Sequence, residues 1–438
     1  MSDRNRDDYF DLSNFDDSID SREYRRRQSV HRQQSNNRNR RSPYNRRRRR
    51  NRTRTRNRIM IVGTGILILI FLIFLLSMMF RGCGNKAAET AISTETKEQQ
   101  QSETVAATTQ SEAQSTSAQG GDLLSTSYFM TPEIKDDNSA GIDFGTIYGW
   151  NGAGYELFGG SETTAQTYGE TVTSLADKLN GVDVFSLVVP NHTEYGLPQR
   201  IKDTEVHTNS QADNIKKAYE SMGSSVTPIN AYNYLAQHND EYTYFNSDHH
   251  WTGLGAYYAY QAFAESNNMT ALKLEDCTEQ TIEDFTGSFT YLASGLETDT
   301  VHYWQLPYSV SMDITYEGGE TQSFDSPYFD GESGGSVAYG VFIYGDNPLT
   351  VMKSSSENAE PNRKICVIKE SYGNAFVPYL TYNYEEVHVV DLRTFRENSS
   401  VDLASYCIQN DITDLLFLNG VMSANTQLQL DSISGLFD

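Results

Sequence analysis

The amino-acid sequence predicts an α/β domain with a mainly parallel β-sheet, preceded by one transmembrane helix. Strand-like and helix-like segments alternate through the C-terminal part of the 438-residue chain, a pattern typical of parallel sheets with crossover helices. A run of 22 residues at positions 59–80 carries no charged side chain. The content of 28 Tyr and 20 Phe indicates a packed core.

The uncharged run at 59–80 is long enough to cross a bilayer, since as a helix it extends about 33 Å. A core helix is rarely apolar on every side over such a length, and a signal peptide has a shorter apolar region and a shorter leader. Residues 22–58 hold 17 Arg and one acidic residue, whereas only Arg81 and Lys86 follow closely after the run. Because positive charge stays on the cytoplasmic side, we expect a cytoplasmic N-terminus and an extracellular C-terminal part.

These features divide the chain into four parts. Residues 1–58 hold 19 Arg and 8 acidic residues, and we expect a disordered, Arg-rich cytoplasmic tail before the transmembrane helix at 59–80. Residues 81–127 are rich in Ser, Thr and Gln and too poor in large apolar groups to form a core, which predicts a disordered extracellular stalk. Residues 128–438 are expected to fold as one domain with a β-rich insertion at about 272–345.

The charge distribution excludes some partners for the outer domain. From residue 59 onwards the chain has 16 basic and 50 acidic residues, so this part would repel the phosphates of a nucleic acid. The Arg-rich tail could bind RNA or DNA. We favour the alternative, in which the tail determines topology and contacts anionic lipid. The chain has four cysteines, Cys83, Cys277, Cys366 and Cys407. They are too few for a disulfide scaffold, and their spacing is not that of a metal site.

The elements of the outer domain follow from hydrophobic periodicity. Apolar and β-branched runs predict strands at 182–189, 226–229, 365–368, 387–390 and 415–418. Amphipathic patterns predict helices at 212–222, 257–265 and 401–409. Thr252 is the expected N-cap of the second of these helices. Short alternating runs between Gly turns predict β-hairpins in the insertion, at 301–306, 309–316 and 337–344.

Residues 246–252 form the densest cluster of groups suited to acid–base chemistry. On an extended segment, residues two apart face the same side, so Asp248 would meet His250 and orient its imidazole, while His249 would face the other way. The same Asp and two His are also metal-ligating types, although no distant ligand stands out. A third interpretation is an exposed polar turn capped by Trp251.

Ser371 is the candidate nucleophile for such a base. It follows the predicted strand at 365–368 and opens an apparent helix. A hydroxyl at this place is exposed at the carboxyl edge of the sheet, where the helix N-terminus stabilises developing negative charge. A serine here is more often only an N-cap.

Taken together, these segments resemble the SGNH-hydrolase-like domains of the DHHW family, which are related to extracellular acyl-transfer proteins of the alginate O-acetyltransferase type. The resemblance extends from about residue 144 to the C-terminus. The motifs that carry it are DHHW at 248–251, VVPN at 188–191, KESYGNAFVPYL at 369–380, VVDLR at 389–393 and LLFLNG at 415–420. The spacing of Asp248 and His250 matches the group, whereas Glu370 stands where Asp commonly precedes the serine.

The resemblance implies a three-layer α/β/α fold of the SGNH type and a serine triad. In this triad Ser371 attacks an acyl ester, His250 is the base and Asp248 orients the base. The implied reaction proceeds through a covalent acyl-serine intermediate and needs no cofactor and no metal.

Four further residues are candidates for oxyanion or substrate contacts. The resemblance places Asn419 where SGNH proteins carry their oxyanion-hole Asn, and its motifs also contain Asn374 and Trp251. Arg393 follows a predicted parallel strand at the carboxyl edge, where ligands bind. A surface ion pair is the more frequent role of such an Arg.

The sequence therefore favours a membrane-anchored O-acyltransferase or esterase that acts on a cell-surface or secreted polysaccharide, with O-acetylation as the expected reaction. The partners implied are the polysaccharide, its acyl donor and a membrane-bound O-acyltransferase. The alternative is a non-catalytic, glycan-binding surface protein with a vestigial triad. The expected location is the plasma membrane of a bacterium, in a single-pass topology with the C-terminal domain outside.

The charge asymmetry around residues 59–80 makes a prediction about topology. Protease added to intact cells should remove residues 128–438 and leave the Arg-rich tail, as detected with antibodies against each end. Lysed cells serve as the control, in which both ends are accessible. Protection of the C-terminal part in intact cells would reverse the predicted orientation.

Overall fold

The computed structural model describes residues 122–329 and 334–438 of the chain. The predicted tail, the transmembrane helix at 59–80 and most of the predicted stalk lie outside the described residues. Within the described ranges, no helix combines the length and apolar character needed to cross a membrane.

The α/β prediction is confirmed. In the described ranges the strands are β1 (Ile142–Asp143), β2 (Ile147–Trp150), β3 (Ala153–Glu156), β4 (Asp183–Val189), β5 (Thr227–Pro228), β6 (Thr278–Phe285), β7 (Asp299–Gln305), β8 (Val310–Thr315), β9 (Thr321–Phe324), β10 (Leu349–Ser354), β11 (Glu360–Lys369), β12 (Tyr384–Asp391) and β13 (Asp414–Gly420). The α-helices of the same ranges are α1 (Glu162–Ala176), α2 (His192–Gly196), α3 (Gln199–Thr204), α4 (Gln211–Glu220), α5 (Ala231–Gln237), α6 (Gly253–Ser266), α7 (Gly373–Leu380), α8 (Phe395–Asn398), α9 (Leu403–Gln409), α10 (Val421–Ala424) and α11 (Gln427–Gly435).

The main sheet has eight strands in the order β5-β4-β13-β11-β12-β10-β8-β9. The first five are parallel to one another, and β10, β8 and β9 extend the sheet in antiparallel pairs. The sheet is therefore mixed, and its parallel half contains the five strands predicted from the apolar runs. Because parallel strands end at the same edge, the carboxyl ends of β4, β11, β12 and β13 lie side by side.

Helices cover both faces of the parallel half. On β4, the Ser186 hydroxyl lies 3.1 Å from the Tyr168 hydroxyl of α1, whereas the ring of the neighbouring Phe185 contacts Phe263 of α6 with centroids 5.4 Å apart. Successive side chains of a strand point to opposite faces, so α1 and α6 lie on opposite sides of the sheet. Thr252 caps α6 as predicted, since its side chain accepts the Gly255 N–H at 3.2 Å.

The predicted insertion differs from the expectation in two ways. The runs at 301–306 and 309–316 form β7 and β8, but β8 and β9 join the main sheet through β10, while β6 and β7 form a separate two-stranded sheet. The prediction of a β-hairpin at 337–344 is wrong, because the chain forms the 3₁₀ turn Gly335–Val341 there. Ile343 and Tyr344 then take left-handed conformations, with φ of 44° and 61°, which end any extended run.

The N-terminal contacts of the domain begin within the predicted stalk. The Asn230 side-chain amide donates to the Ser125 carbonyl at 2.5 Å, and that of Asn233 donates to the Leu123 carbonyl at 3.1 Å. Leu123 also packs against the core. Residues 123–125 therefore belong to the folded unit.

Candidate active site

Asp248 and His250 meet in a loop. Residues 246–250 form bends between Tyr244 and Trp251, which pair as an isolated antiparallel bridge, so the predicted extended segment is wrong. Asp248 Oδ1 instead accepts two hydrogen bonds from His250, one from its backbone N–H at 2.9 Å and one at Nδ1 at 2.6 Å. The contact thus depends on the ability of Asp to bond to the backbone two residues ahead.

The second Asp248 oxygen is held by the segment after β6. Oδ2 accepts the Ser288 N–H at 2.8 Å, and Gly287 lies so close that an added Cβ would be 2.2 Å from the Asp248 Cβ. Burial acts to raise the pKa of Asp248, but His250, His249 and the hydrogen bonds hold this pKa well below its usual range. Asp248 is therefore a buried, ionised carboxylate with both oxygens hydrogen-bonded, which avoids the cost of several kcal/mol of an uncompensated buried charge.

Asp299 anchors the same loop from β7. Its Oδ1 accepts the Tyr242 hydroxyl at 2.5 Å and the Asn246 N–H at 2.8 Å, and its Oδ2 accepts the Ser247 N–H and hydroxyl at 2.8 and 2.5 Å. Sequence reasoning missed both Ser288 and Asp299. They lie in a different part of the chain, and no spacing pattern links them to the loop.

Ser371 lies at the turn between β11 and α7, at the carboxyl edge of the sheet, as expected. Its Oγ is 2.7 Å from His250 Nε2. The N-cap residue of α7 is Tyr372, so the alternative role of Ser371 as N-cap is not supported. Ser371, His250 and Asp248 form one continuous hydrogen-bonded chain, in which each residue is at most 2 % exposed.

His249 does not face away from His250 as expected. The two rings have centroids 3.8 Å apart, and His249 Nδ1 lies 2.8 Å from the Ser288 hydroxyl. Burial, followed by the charge of His250, lowers the pKa of His249 to about 3, so this ring is neutral at ordinary pH.

The metal interpretation has a geometric basis, because one ligand atom from each of Asp248, His249 and His250 lies within 4.8 Å of the others. The hydrogen bonds already engage these groups, however. His250 uses Nδ1 for Asp248 and Nε2 for Ser371, and Asp248 uses both oxygens. The arrangement therefore favours a proton-transfer chain.

Trp251 joins the loop to the nucleophile turn. Its indole Nε1 donates to the Tyr372 carbonyl at 2.9 Å, and its ring stacks on Phe376 of α7. The Tyr372 hydroxyl in turn donates to the His249 carbonyl. Trp251 is completely buried, and these contacts fix the position of the loop against the nucleophile turn.

Glu370 joins the nucleophile turn to the end of β13. Its Oε1 accepts the Gly420 N–H at 2.6 Å and its Oε2 accepts the Tyr372 N–H at 3.0 Å. Burial raises the pKa of Glu370, and these two hydrogen bonds act in the opposite direction. The Glu that departs from the family pattern thus fulfils a clear structural role.

Asn419 lies at the carboxyl end of β13, immediately beyond the pair formed by Leu418 and Lys369 of β11. Its Oδ1 accepts the Tyr168 hydroxyl at 3.0 Å. Its Nδ2 is buried and has no hydrogen-bond partner among the described residues. A buried donor in this condition is unusual and suits a ligand oxygen.

Arg393 and Asn374 belong to an ionic cluster beside the nucleophile turn. Arg393 binds both oxygens of Asp391, at 2.9 and 2.6 Å, and lies 3.1 Å from Asp346. The buried Lys369 ammonium lies 2.6 Å from Asp346 and 3.1 Å from Asp391, and the Asn374 amide donates to Asp346 at 3.0 Å. The Arg393 ion pairs are therefore largely buried and not at the exposed surface, and both residues support the turn.

The double hydrogen bond of Glu370 makes a prediction about stability. Glu370→Gln replaces one acceptor by an amide NH₂ that faces a backbone N–H, so we expect the free energy of unfolding to fall by about 1–3 kcal/mol. Urea unfolding measures this difference, with Glu275→Gln at an exposed carboxyl as the control. Equal midpoints for the two variants would show that the Glu370 bonds do not stabilise the turn.

Comparison with known proteins agrees with the resemblance seen in the sequence. None of the curated proteins matches the chain. The chain is similar to the crystal structure of a DHHW family protein from Eubacterium siraeum DSM 15702, with 30% identity and a TM-score of 0.59, over 68% of this chain and 99% of that chain.

Two more distant structures are matched along most of their length. Bacillus cereus PatB1 has 19% identity and a TM-score of 0.54, over 66% of this chain and 98% of that chain. The O-acetyltransferase domain of Pseudomonas putida AlgJ has 11% identity and a TM-score of 0.36, over 68% of this chain and 98% of that chain. The DHHW protein family itself matches residues 130–390, which include the loop, the nucleophile turn and the insertion. The chain belongs to the DHHW family.

Proposed function

We propose that this protein is a membrane-anchored O-acyltransferase or esterase that acts on a cell-surface or secreted polysaccharide, with O-acetylation as its reaction. The observation that carries the proposal is the 2.7 Å contact between Ser371 Oγ and His250 Nε2, continued by the 2.6 Å contact between His250 Nδ1 and Asp248. A serine activated by a histidine that a buried carboxylate orients is the arrangement of acyl-transfer enzymes.

The first step forms an acyl-serine. Ser371 Oγ forms a bond to the acyl carbonyl carbon while His250 Nε2 takes the hydroxyl proton, and Asp248 stabilises the imidazolium through Nδ1. When the bond to the leaving oxygen breaks, that oxygen takes the proton from His250. The result is an acyl group on Ser371 and a neutral His250.

The second step returns the enzyme. The hydroxyl of a sugar, or of water, gives its proton to His250 and attacks the acyl carbon, and Ser371 leaves with that proton. Sugar as acceptor gives transfer, and water gives hydrolysis. We assign the Asn419 Nδ2 as a donor to the oxyanion that forms in both steps, because it is a buried donor at the same sheet edge.

The polysaccharide and the partners rest on the resemblance of the chain to DHHW domains and on the predicted outward topology. The likeness of PatB1 to this chain concerns the fold alone. A membrane-bound O-acyltransferase that supplies the acyl group would act beside the anchored domain at the plasma membrane.

Glycan binding without catalysis is the second candidate function. A cavity of about 670 Å³ lies between residues 127–134 and helices α2–α5, and its lining contains no triad residue. Tyr128, Phe129 and Tyr232 line it together with polar groups, a combination that suits a sugar ring. This cavity is available to a glycan whether or not Ser371 reacts.

Replacement of the triad residues tests the proposed function. Ser371→Ala, His250→Ala and Asp248→Asn should each lower p-nitrophenyl acetate hydrolysis by about a thousandfold or more, because triad members act as a unit. Ser432→Ala on α11 and His302→Ala on β7 are matched controls that should retain activity. A chelator should leave the rate unchanged.

Three results would contradict the triad assignment. Full activity of Ser371→Ala would leave glycan binding as the better function, and loss of activity with the chelator would favour the metal interpretation. Equal activity of wild-type and His250→Ala protein would show that the 2.7 Å contact has no part in the chemistry.

A further inference from the structure

Tyr339 lies in the 3₁₀ turn Gly335–Val341 and contacts both the base and the nucleophile. Its ring is nearly parallel to the His250 ring, with centroids 4.0 Å apart and 11° between the planes. Its hydroxyl donates to the Ser371 carbonyl at 3.1 Å. Tyr339 is 6 % exposed, so these contacts are almost free of water.

Two phenylalanines hold the Tyr339 ring in place. Phe342 belongs to the insertion and Phe245 precedes the loop of Asp248, and their ring centroids lie 5.4 and 6.1 Å from that of Tyr339. These steeply inclined contacts, with 64° and 88° between the planes, are favourable for aromatic pairs and restrict rotation of the ring. The plane of the His250 ring is consequently defined by a rigid neighbour.

The proton transfer from Ser371 turns His250 into a cation. An aromatic face carries the negative part of its quadrupole and attracts a cation placed over it, more strongly where water is excluded. The stacked Tyr339 ring therefore stabilises the imidazolium form of His250. It also keeps Nε2 directed at the Ser371 hydroxyl.

Other groups face His250 as well. Asp248 and His249 belong to its own loop, and Glu370 and Tyr372 belong to the nucleophile turn. Asp248 is the direct counter-charge, His249 is neutral at ordinary pH, and the Tyr372 ring is tilted by 58° to the imidazole. These residues interact with His250 directly and are unchanged in a Tyr339 variant. A change in the pH dependence of such a variant therefore reports the loss of the stacked ring.

We propose that Tyr339 is a positioning residue that orients His250 and stabilises its protonated form, so that the β-rich insertion completes the active site. This inference rests on the proposed function, in which His250 is the base for Ser371. It assigns the insertion a role in the chemistry, where the sequence predicted only an added lobe.

The experiment measures how fast a tagged fluorophosphonate labels the full-length chain between about pH 5 and pH 9. In this reaction Ser371 Oγ bonds to phosphorus, the phosphorus–fluorine bond breaks and fluoride leaves, and His250 takes the hydroxyl proton. The variants are Tyr339→Leu and Tyr339→Met, which lack a ring, and Tyr339→Phe, which keeps it. Tyr328→Leu is the control, because Tyr328 is also a buried tyrosine that contacts Phe342.

Loss of the ring destabilises the imidazolium, so the base is neutral at lower pH than in the wild type. We expect the acidic limb of the rate profile to move down by about half a pH unit to one unit in Tyr339→Leu or Tyr339→Met. The plateau rate should fall about tenfold, whereas Tyr339→Phe and Tyr328→Leu should keep the wild-type midpoint.

The proposed role of Tyr339 would be overturned if either ringless variant kept the wild-type midpoint and rate. The comparison requires that this variant unfolds at the same temperature as Tyr328→Leu. Absence of labelling in the wild-type chain would instead overturn the proposed function. Use of two ringless variants keeps the test valid if one of them does not fold.

Discussion

The hydrogen bond between His250 Nε2 and Ser371 Oγ connects two segments that are 121 residues apart in sequence, and the surrounding packing is arranged around this connection. Trp251 and Tyr372 add two further bonds between the same segments. The buried Asp248 charge is tolerated because His250 and the Ser288 N–H share its two oxygens. Loss of any of these partners would leave a charge or a donor unpaired in a dry site.

The β-rich insertion is part of this arrangement. Ser288 and Asp299 hold the loop of Asp248, and Tyr339 stacks on His250. All three belong to the predicted insertion. The parallel strands supply the nucleophile turn and its edge position, while the insertion fixes the base, so neither half forms the site alone.

The sequence was informative where a pattern has a local physical cause. Buried apolar runs gave the parallel strands β4, β11, β12 and β13, and the strand-to-helix turn located Ser371. The Asp248–His250 pair was predicted for the wrong reason, since a loop and not a strand brings them together. The 3₁₀ turn of Tyr339 could not be predicted, because an apolar run with β-branched and aromatic residues is also typical of a strand, and only tertiary packing decides between them. The roles of Trp251 and Arg393 likewise depend on partners that are distant in sequence.

The central claim is that Ser371 carries the acyl group during the reaction. The most direct measurement is mass spectrometry of the chain after brief reaction with p-nitrophenyl acetate and acid quenching. The tryptic peptide of residues 370–393 should gain the mass of one acetyl group on Ser371 in the wild type and remain unmodified in His250→Ala. Turnover of the ester without acetylation of this peptide, or acetylation on another residue that transfers to the acceptor, would contradict the account.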